Sequence, residues 1–388
     1  MASYSDNTVS VSFVRHEPRP RRATAGLSRT LSRYIGRKLL VVVLAVILGF
    51  SALAFLIDFI ELLRRAGERD GVGMLRVLEM AALHLPFLMQ KMIPFAMLFG
   101  AMACFQRLTR SQELIAARAV GVSVWQFLLP AVAVALAIGV FATTVLNPLA
   151  ATLYGRFEKL ESVLLKGRSD TMSVSREGVW LRESDMVDDL ILHGDALQVE
   201  PLAMEDVTVF AFDGASRFVR RIDAASAELR HGYWLLVDTA ITDRAGRTRE
   251  VAELEIPTKI TPKGLIESFA KPERVPFWQL PGFIAELDRI GFSTRQHQLY
   301  FHQLLALPLL LLAMLIIGVT FSLRLSRKGG AVLLVTGGVV TGFAFYILSD
   351  VIFAVGLSGR IPPILAAWSP TGIALLLGSG ALFYLEDG

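Results

Sequence analysis

The chain has 388 residues, 53% of them hydrophobic before glycine is counted, and a mean hydropathy of +0.52. A soluble domain reaches about 45–50% apolar only with glycine included, so composition excludes an ordinary soluble globular protein and points to an integral membrane protein. The net charge of +4 gives no reason to invoke nucleic acid, and the single cysteine, Cys104, excludes an intrachain disulfide.

Residues 1–26 are rich in Arg, Pro, Ser and Thr, and read as a disordered basic extension. Arg15, Arg19, Arg21, Arg22, Arg29, Arg33, Arg37 and Lys38 precede the first apolar run, against only Asp6 and Glu17. That excess predicts a cytoplasmic N-terminus.

The first span is expected at about Leu39–Ile60. Ala52-Leu-Ala54 resembles a signal cleavage site, but about 20 apolar residues make a span rather than a signal core, so the helix is read as uncleaved. It ends in Asp58, Glu61, Arg64 and Arg65. Paired guanidinium groups at headgroup depth suit phosphate, and solvated anchoring is the plainer alternative. The second span, about Leu83–Phe105, carries Pro86, Pro94 and Lys91. An intramembrane ammonium is costly, so Lys91 either snorkels to the interface or faces a polar cavity and holds an anion.

Between the second and third spans lies Arg107–Gln126, RLTRSQELIAARAVGVSVWQ. Thr109 and Gln112 have capping-box spacing, and Gly121 suits a C-cap. The roughly 11 intervening residues would make about 16 Å of helix, too short to cross a bilayer. Arg110 and Glu113 stand three apart and are expected to share a face. The segment reads either as a surface helix for a soluble partner or as a polar turn. The third span is expected at about Val124–Leu149, which closes a first membrane unit at residues 27–150.

From 151 to 276 charge is frequent and no run is long enough to span. Alternating blocks at Gly178–Arg182, Val187–His193, Val207–Phe212, Ala227–Val237 and Val251–Ile260 predict one antiparallel sandwich or barrel. The topology count places it outside the cytoplasm. Residues 277–388 hold an amphipathic segment, Phe277–Ile290, with Trp278 and Phe283 at headgroup level, then three more spans. These are about Leu299–Leu323, Ala331–Val355 and Ile364–Leu385, with a cytoplasmic C-terminus. Gly338-Val-Val-Thr-Gly342 in the fifth permits close helix packing.

Tests for chemistry come out against catalysis. None of the eight lysines is followed by Ser or Thr, so no phosphate-binding loop of the Walker type is present and any ATP must be bound by a partner. The six histidines include no HExxH; His297 and His302, near the fourth span, read as interfacial. Ser358 in Gly356-Leu-Ser-Gly359 resembles a nucleophile turn but has no base placed by sequence, so a tight turn explains it.

Four stretches carry a resemblance. They are Leu31-Ser-Arg-Tyr-Ile-Gly-Arg-Lys38, Phe59-Ile-Glu-Leu-Leu-Arg-Arg-Ala-Gly67, Pro94 with Arg110-Ser-Gln-Glu-Leu114 and Gly121, and Gly359-Arg-Ile-Pro-Pro363. In this order, with three spans, a β-domain and three spans, the chain over about residues 28–386 resembles the LptF/LptG permeases of lipopolysaccharide export. The Phe-Ile-Glu…Arg-Arg and Ile-Pro-Pro stretches are closer to the LptG type.

The resemblance implies a six-helix inner-membrane protein of a Gram-negative bacterium with a periplasmic jellyroll inserted between helices 3 and 4. It implies an LptF-type partner subunit, an LptB-type ATPase dimer that binds the ATP and Mg, an LptC-type periplasmic partner, and lipopolysaccharide as cargo. Arg64 and Arg65, with Glu61 and Lys91, would form the substrate site; Arg110, Glu113, Leu114, Arg118 and Gly121 would form the coupling helix, at about 107–121. Asp58 departs from the family, in which some relatives carry a basic residue there, and Lys91 is the expected compensating cation. A membrane-anchored scaffold that merely recruits periplasmic partners is the alternative reading; it predicts that the intramembrane charges are dispensable.

Overall fold

The structure is a computed structural model, and it describes residues 29–67, 72–113, 116, 124–166, 171–175, 178–184, 188–199, 202–213, 217–258, 271–289, 293–325 and 331–387. Among them six helices are long and apolar enough to cross a membrane. An eight-stranded antiparallel sheet is inserted between the third and fourth.

The helices outrun the apolar stretches that reveal them. Helix α1 spans Arg29–Gly67 and α2 spans Met74–Arg110. Hydropathy marks the length that suits lipid, whereas backbone hydrogen bonding carries the helix on into its charged ends. Pro86 and Pro94 are both accommodated inside α2. The third span comprises α3, Val124–Phe141, a π-type turn at Ala142–Leu146, α4, Asn147–Glu161, and a second π-type turn at Ser162–Lys166. The first described strand therefore begins at Thr171 rather than near residue 151.

Proline has a specific effect here. Pro148 has no N–H to give to the carbonyl one turn back. The Thr144 carbonyl instead accepts the Trp278 indole N–H at 3.1 Å. That contact pins the chain returning from the sheet onto the third helix.

The sheet strands are β1 Thr171–Ser175, β2 Gly178–Ser184, β3 Asp188–Gly194, β4 Ala196–Val199, β5 Leu202–Asp213, β6 Phe218–Arg230, β7 Tyr233–Asp243 and β8 Thr248–Pro257. They pair in the order β1-β2-β3-β5-β6-β7-β8, with β4 also on β5. The block expected at Ala227–Val237 is the β6–β7 hairpin, turned at Gly232, where φ is +87°.

The pairing contains a seam. Glu205 faces Ser226 and Val207 faces Ala224, which sets Asp206 opposite Ala225. The neighbouring registers set Ala225 opposite Asp238 and Asp238 opposite Ala252. On the other side, His193↔Thr208 and Ala196↔Glu205 put Asp195, where β3 breaks into β4, opposite Asp206. Along this row the strands place two successive residues away from the core instead of one. The inward residues of β5 are Leu202 and Met204, then Val207 and Val209; those of β6 are Ile222 and Ala224, then Ala227 and Leu229. Asp206 and Asp238 make the shift with φ of 48° and 52°, a region that Asp tolerates better than most residues.

The sheet curls over its apolar face. The Thr258 hydroxyl, just past β8, donates to Glu183 of β2 at 2.7 Å, and both residues are buried. Leu287 joins the sheet's core cluster with Phe283 packed against it. Both belong to α5, Leu280–Arg289, so the expected amphipathic segment is a wedge between sheet and bundle. Its other contacts, Leu280 and Phe283, lie in a cluster with Leu304 and Tyr300 of α6.

Helix α6 spans Arg295–Leu325, α7 spans Ala331–Leu357 and α8 spans Pro363–Asp387. The bundle core joins α1, α2, α3 and α6 through residues such as Leu39, Val43, Met97, Phe105, Phe127, Leu311 and Val319, with Cys104 buried among them. Gly139 lets α3 meet α6 so closely that a Cβ there would lie 2.4 Å from Pro308 Cα. Gly338 and Gly342 of α7 face Met102 and Phe95 of α2, and a Cβ there would lie 2.8 Å from Met102 Sδ and 3.2 Å from Phe95 Cδ1, so those side chains would have to shift.

Candidate functional site

Three places on the bundle hold the charged residues. The first is at the sheet end. Arg64 and Arg65 close the last turn of α1, where cations interact favourably with the helix C-terminus. Glu61, one turn back, accepts from Arg64 Nε and Nη2 at 3.0 and 2.9 Å and from Arg65 Nε at 2.8 Å. Arg65 reaches on to Glu161 of α4 at 3.3 Å. Arg64 keeps 62% of its side chain exposed and Arg65 46%. Below this cluster an open groove of about 590 Å³ runs between α1 and α2. Its walls are Phe50, Leu53, Ala54 and Ile57 on one side and Leu88, Met92, Phe95 and Phe99 on the other, with Asp58 and Glu61 at its charged end. The arrangement is amphiphilic, with guanidinium groups above and hydrocarbon below.

Asp58 is met by His84 of α2, whose Nδ1 lies 3.0 Å from both carboxylate oxygens. The His84 ring stacks on Phe157 at 4.3 Å and 3°, with Phe87 and Tyr154 beside it. The partner of Asp58 is thus His84. Sequence reasoning missed it because the two residues are 26 apart on different helices. Helical phase was the one available signal, since a His in an apolar run needs a polar partner.

Lys91 stands apart from the two arginines. Its ammonium lies 4.4 Å over the Phe87 ring. It lines a separate cavity of about 280 Å³ between α2, α6, α7 and α8, with Gln90, Tyr300, Gln303 and Ser349. A buried node borders that cavity. Asn147 donates to Tyr300 and Gln90 at 2.9 and 3.4 Å and accepts the Phe277 N–H at 2.9 Å. Buried Glu158, about three turns further along α4, accepts from both Lys271 and Arg274. These side chains fix the returning chain to the bundle, and no motif announced them.

The third place is the opposite end of the bundle. Thr109 is not an N-cap: its hydroxyl donates to Phe105 O inside α2, which runs on to Arg110. Gln112, at φ 58°, breaks the helix there, so Arg110 and Glu113 lie on either side of a bend and do not share a helical face. Arg110 is exposed. Glu113 accepts from Lys38 of α1 at 3.2 and 3.4 Å and from the Ser111 hydroxyl at 2.9 Å. Burial pushes the Glu113 carboxyl up, but Ser111, Lys38 and Tyr34 outweigh it and hold it below the usual carboxylate range. Leu114, Arg118 and Gly121 lie outside the described residues.

The sequence profile described as "Lipopolysaccharide export system permease LptF/LptG" matches residues 33–385. The chain is 22% identical over 373 residues to the lipopolysaccharide export system permease protein LptG of Escherichia coli K12, covering 89% of this chain and 96% of that one. It is 21% identical over 356 residues to LptG of Haemophilus influenzae, covering 90% and 96%.

Proposed function

The chain belongs to the LptF/LptG family of lipopolysaccharide export permeases, and from that premise we propose that it is the LptG-type half of an ATP-driven exporter. It would pair with an LptF-type subunit and an LptB-type ATPase dimer, take lipopolysaccharide from the inner membrane, and pass it to LptC-type periplasmic partners. The sheet end is then periplasmic, and the end carrying Lys38 and Glu113 is cytoplasmic.

One observation carries the reading: the Arg64–Arg65 pair stands over an apolar groove between α1 and α2. That arrangement complements a lipid bearing phosphate above acyl chains. At headgroup depth a guanidinium–phosphate bond is charge-assisted and less screened than the roughly 0–1 kcal/mol of an exposed pair. Glu61 holds the guanidinium planes ready and would exchange one of its bonds when phosphate arrives. Lys91, in its own cavity, contributes a second, deeper positive charge.

The test is lipid retention. An Arg64→Ala/Arg65→Ala variant should still assemble with its ATPase but copurify with clearly less lipopolysaccharide. Arg76→Ala is the control, since Arg76 is exposed and paired only locally with Glu79 among the described residues. Equal lipid retention in the double variant and the control would reduce the arginine pair to membrane anchors.

A further inference from the structure

We propose that Lys38 is a positioning residue that fastens the coupling segment to the foot of α1, by gripping Glu113. The proposal rests on the exporter proposed above, with Glu113 docking the coupling segment on its ATPase, and adds a residue and a direction of transmission to that role. Lys38 and Glu113 are 75 residues apart, on different elements, yet the ammonium reaches both carboxylate oxygens. Two further groups fix the pair. Tyr34, one turn earlier in α1, accepts from Lys38 Nζ at 2.9 Å, and Ser111 donates to Glu113 Oε1. The side chains are only 25% and 38% exposed, so the pair is partly shielded from screening.

The described residues just past α2 turn beside this contact. Ser111 N–H returns to Arg107 O and ends α2, and Gln112 then turns through φ 58°. A non-glycine residue holds that conformation when its surroundings determine it. The Lys38–Glu113 contact lies one residue past the turn and is a bond from outside the loop that can do so. Without Lys38, Glu113 would keep Ser111 and the Tyr34 hydroxyl beside it, but would lose the one charged group of α1 that holds it among the described residues.

The choice of helix matters. Helix α1 is continuous from Arg29 to Gly67 and carries Arg64 and Arg65 at its other end. The 26 residues from Lys38 to Arg64 span about 39 Å. A displacement of the coupling segment is therefore applied to the same rigid element that bears the proposed lipid cations. It need not pass through α2 alone.

The experiment uses the full chain in nanodiscs with its partner subunit and ATPase, with and without lipopolysaccharide. Lys38→Met should lower the ratio of lipid-stimulated to basal ATP hydrolysis about two- to fivefold, the range of a partly exposed ion pair. Lys38→Arg should recover most of it. Glu113→Gln is measured beside them for ATPase binding. If Glu113→Gln weakens binding but Lys38→Met leaves the ratio unchanged, the positioning role is overturned while the docking role stands. If Glu113→Gln leaves binding unchanged, the docking role falls, and geometry judges Lys38. A Lys38→Cys/Glu113→Cys pair on a Cys104→Ser background should then be joined by a short bismaleimide in the intact complex. Failure to crosslink overturns the contact itself.

Discussion

Asp58 shows how a single side chain departs from the pattern around it without loss. A carboxylate in an apolar groove is unfavourable unless its hydrogen bonds are made. His84 makes them, and Phe157 clamps the imidazole face to face. The pair and the stack are separable. His84→Phe keeps an aromatic ring on Phe157 but leaves Asp58 unpartnered, and should cost about 1–3 kcal/mol. An Asp58→Leu/His84→Phe double variant should regain most of that. Thermal unfolding of the detergent-solubilised protein measures both; a single variant as stable as wild type would show that the stack alone matters. Little of this could be read in advance. Arg64 and Arg65 were legible because a pair of cations directly after an apolar run marks an interface by composition alone. His84, Asn147 and Glu158 act through partners 26 to over 150 residues away, which no local pattern encodes.

The elements were legible to the degree that one periodicity ran through them. Six apolar runs gave six helices because length against bilayer thickness is a coarse criterion. Their ends were not legible, since charged turns extend α1, α2 and α4 without any change of hydropathy sign that marks a stop. The strands were only half legible because the seam reverses their alternation midway. Across it, a period-two pattern read over the whole of β6 or β7 cancels itself. The seam makes a sharp expectation for Asp238, at φ 52°. Asp238→Gly should be neutral or mildly stabilising in backbone terms, whereas Asp238→Val should cost about 1–3 kcal/mol, because a branched Cβ is strained there. Limited proteolysis of the sheet in the intact protein reads the difference. Equal resistance of the two variants would mean that the strand adopts another path.

The molecule as a whole is a bundle with two chemically different ends, joined by helices that run the full length. Helix α1 holds Lys38 at one end and Arg64 at the other, and the sheet leaves the bundle beside Arg65 and Glu161. Cysteines placed at Ala245, in the β7–β8 turn, and at Ser111, at the elbow, should label from opposite sides of the membrane in spheroplasts. An impermeant maleimide should reach the first from outside and not the second, on a Cys104→Ser background. Labelling of both from one side would overturn the proposed orientation.

The row from Asp195 through Asp206, Ala225 and Asp238 to Ala252 also bears on how such a chain tolerates change over time. Losing one residue from the middle of one strand would turn half of that strand inside out, presenting its charged side chains to the apolar interior and its leucines to water. The same loss in all the strands together would leave every half-strand facing as before. A single-residue deletion inside β5, β6, β7 or β8 should therefore be costly, whereas one in a connecting turn should be tolerated. The seam thus constrains the number of residues in each strand more tightly than their identity.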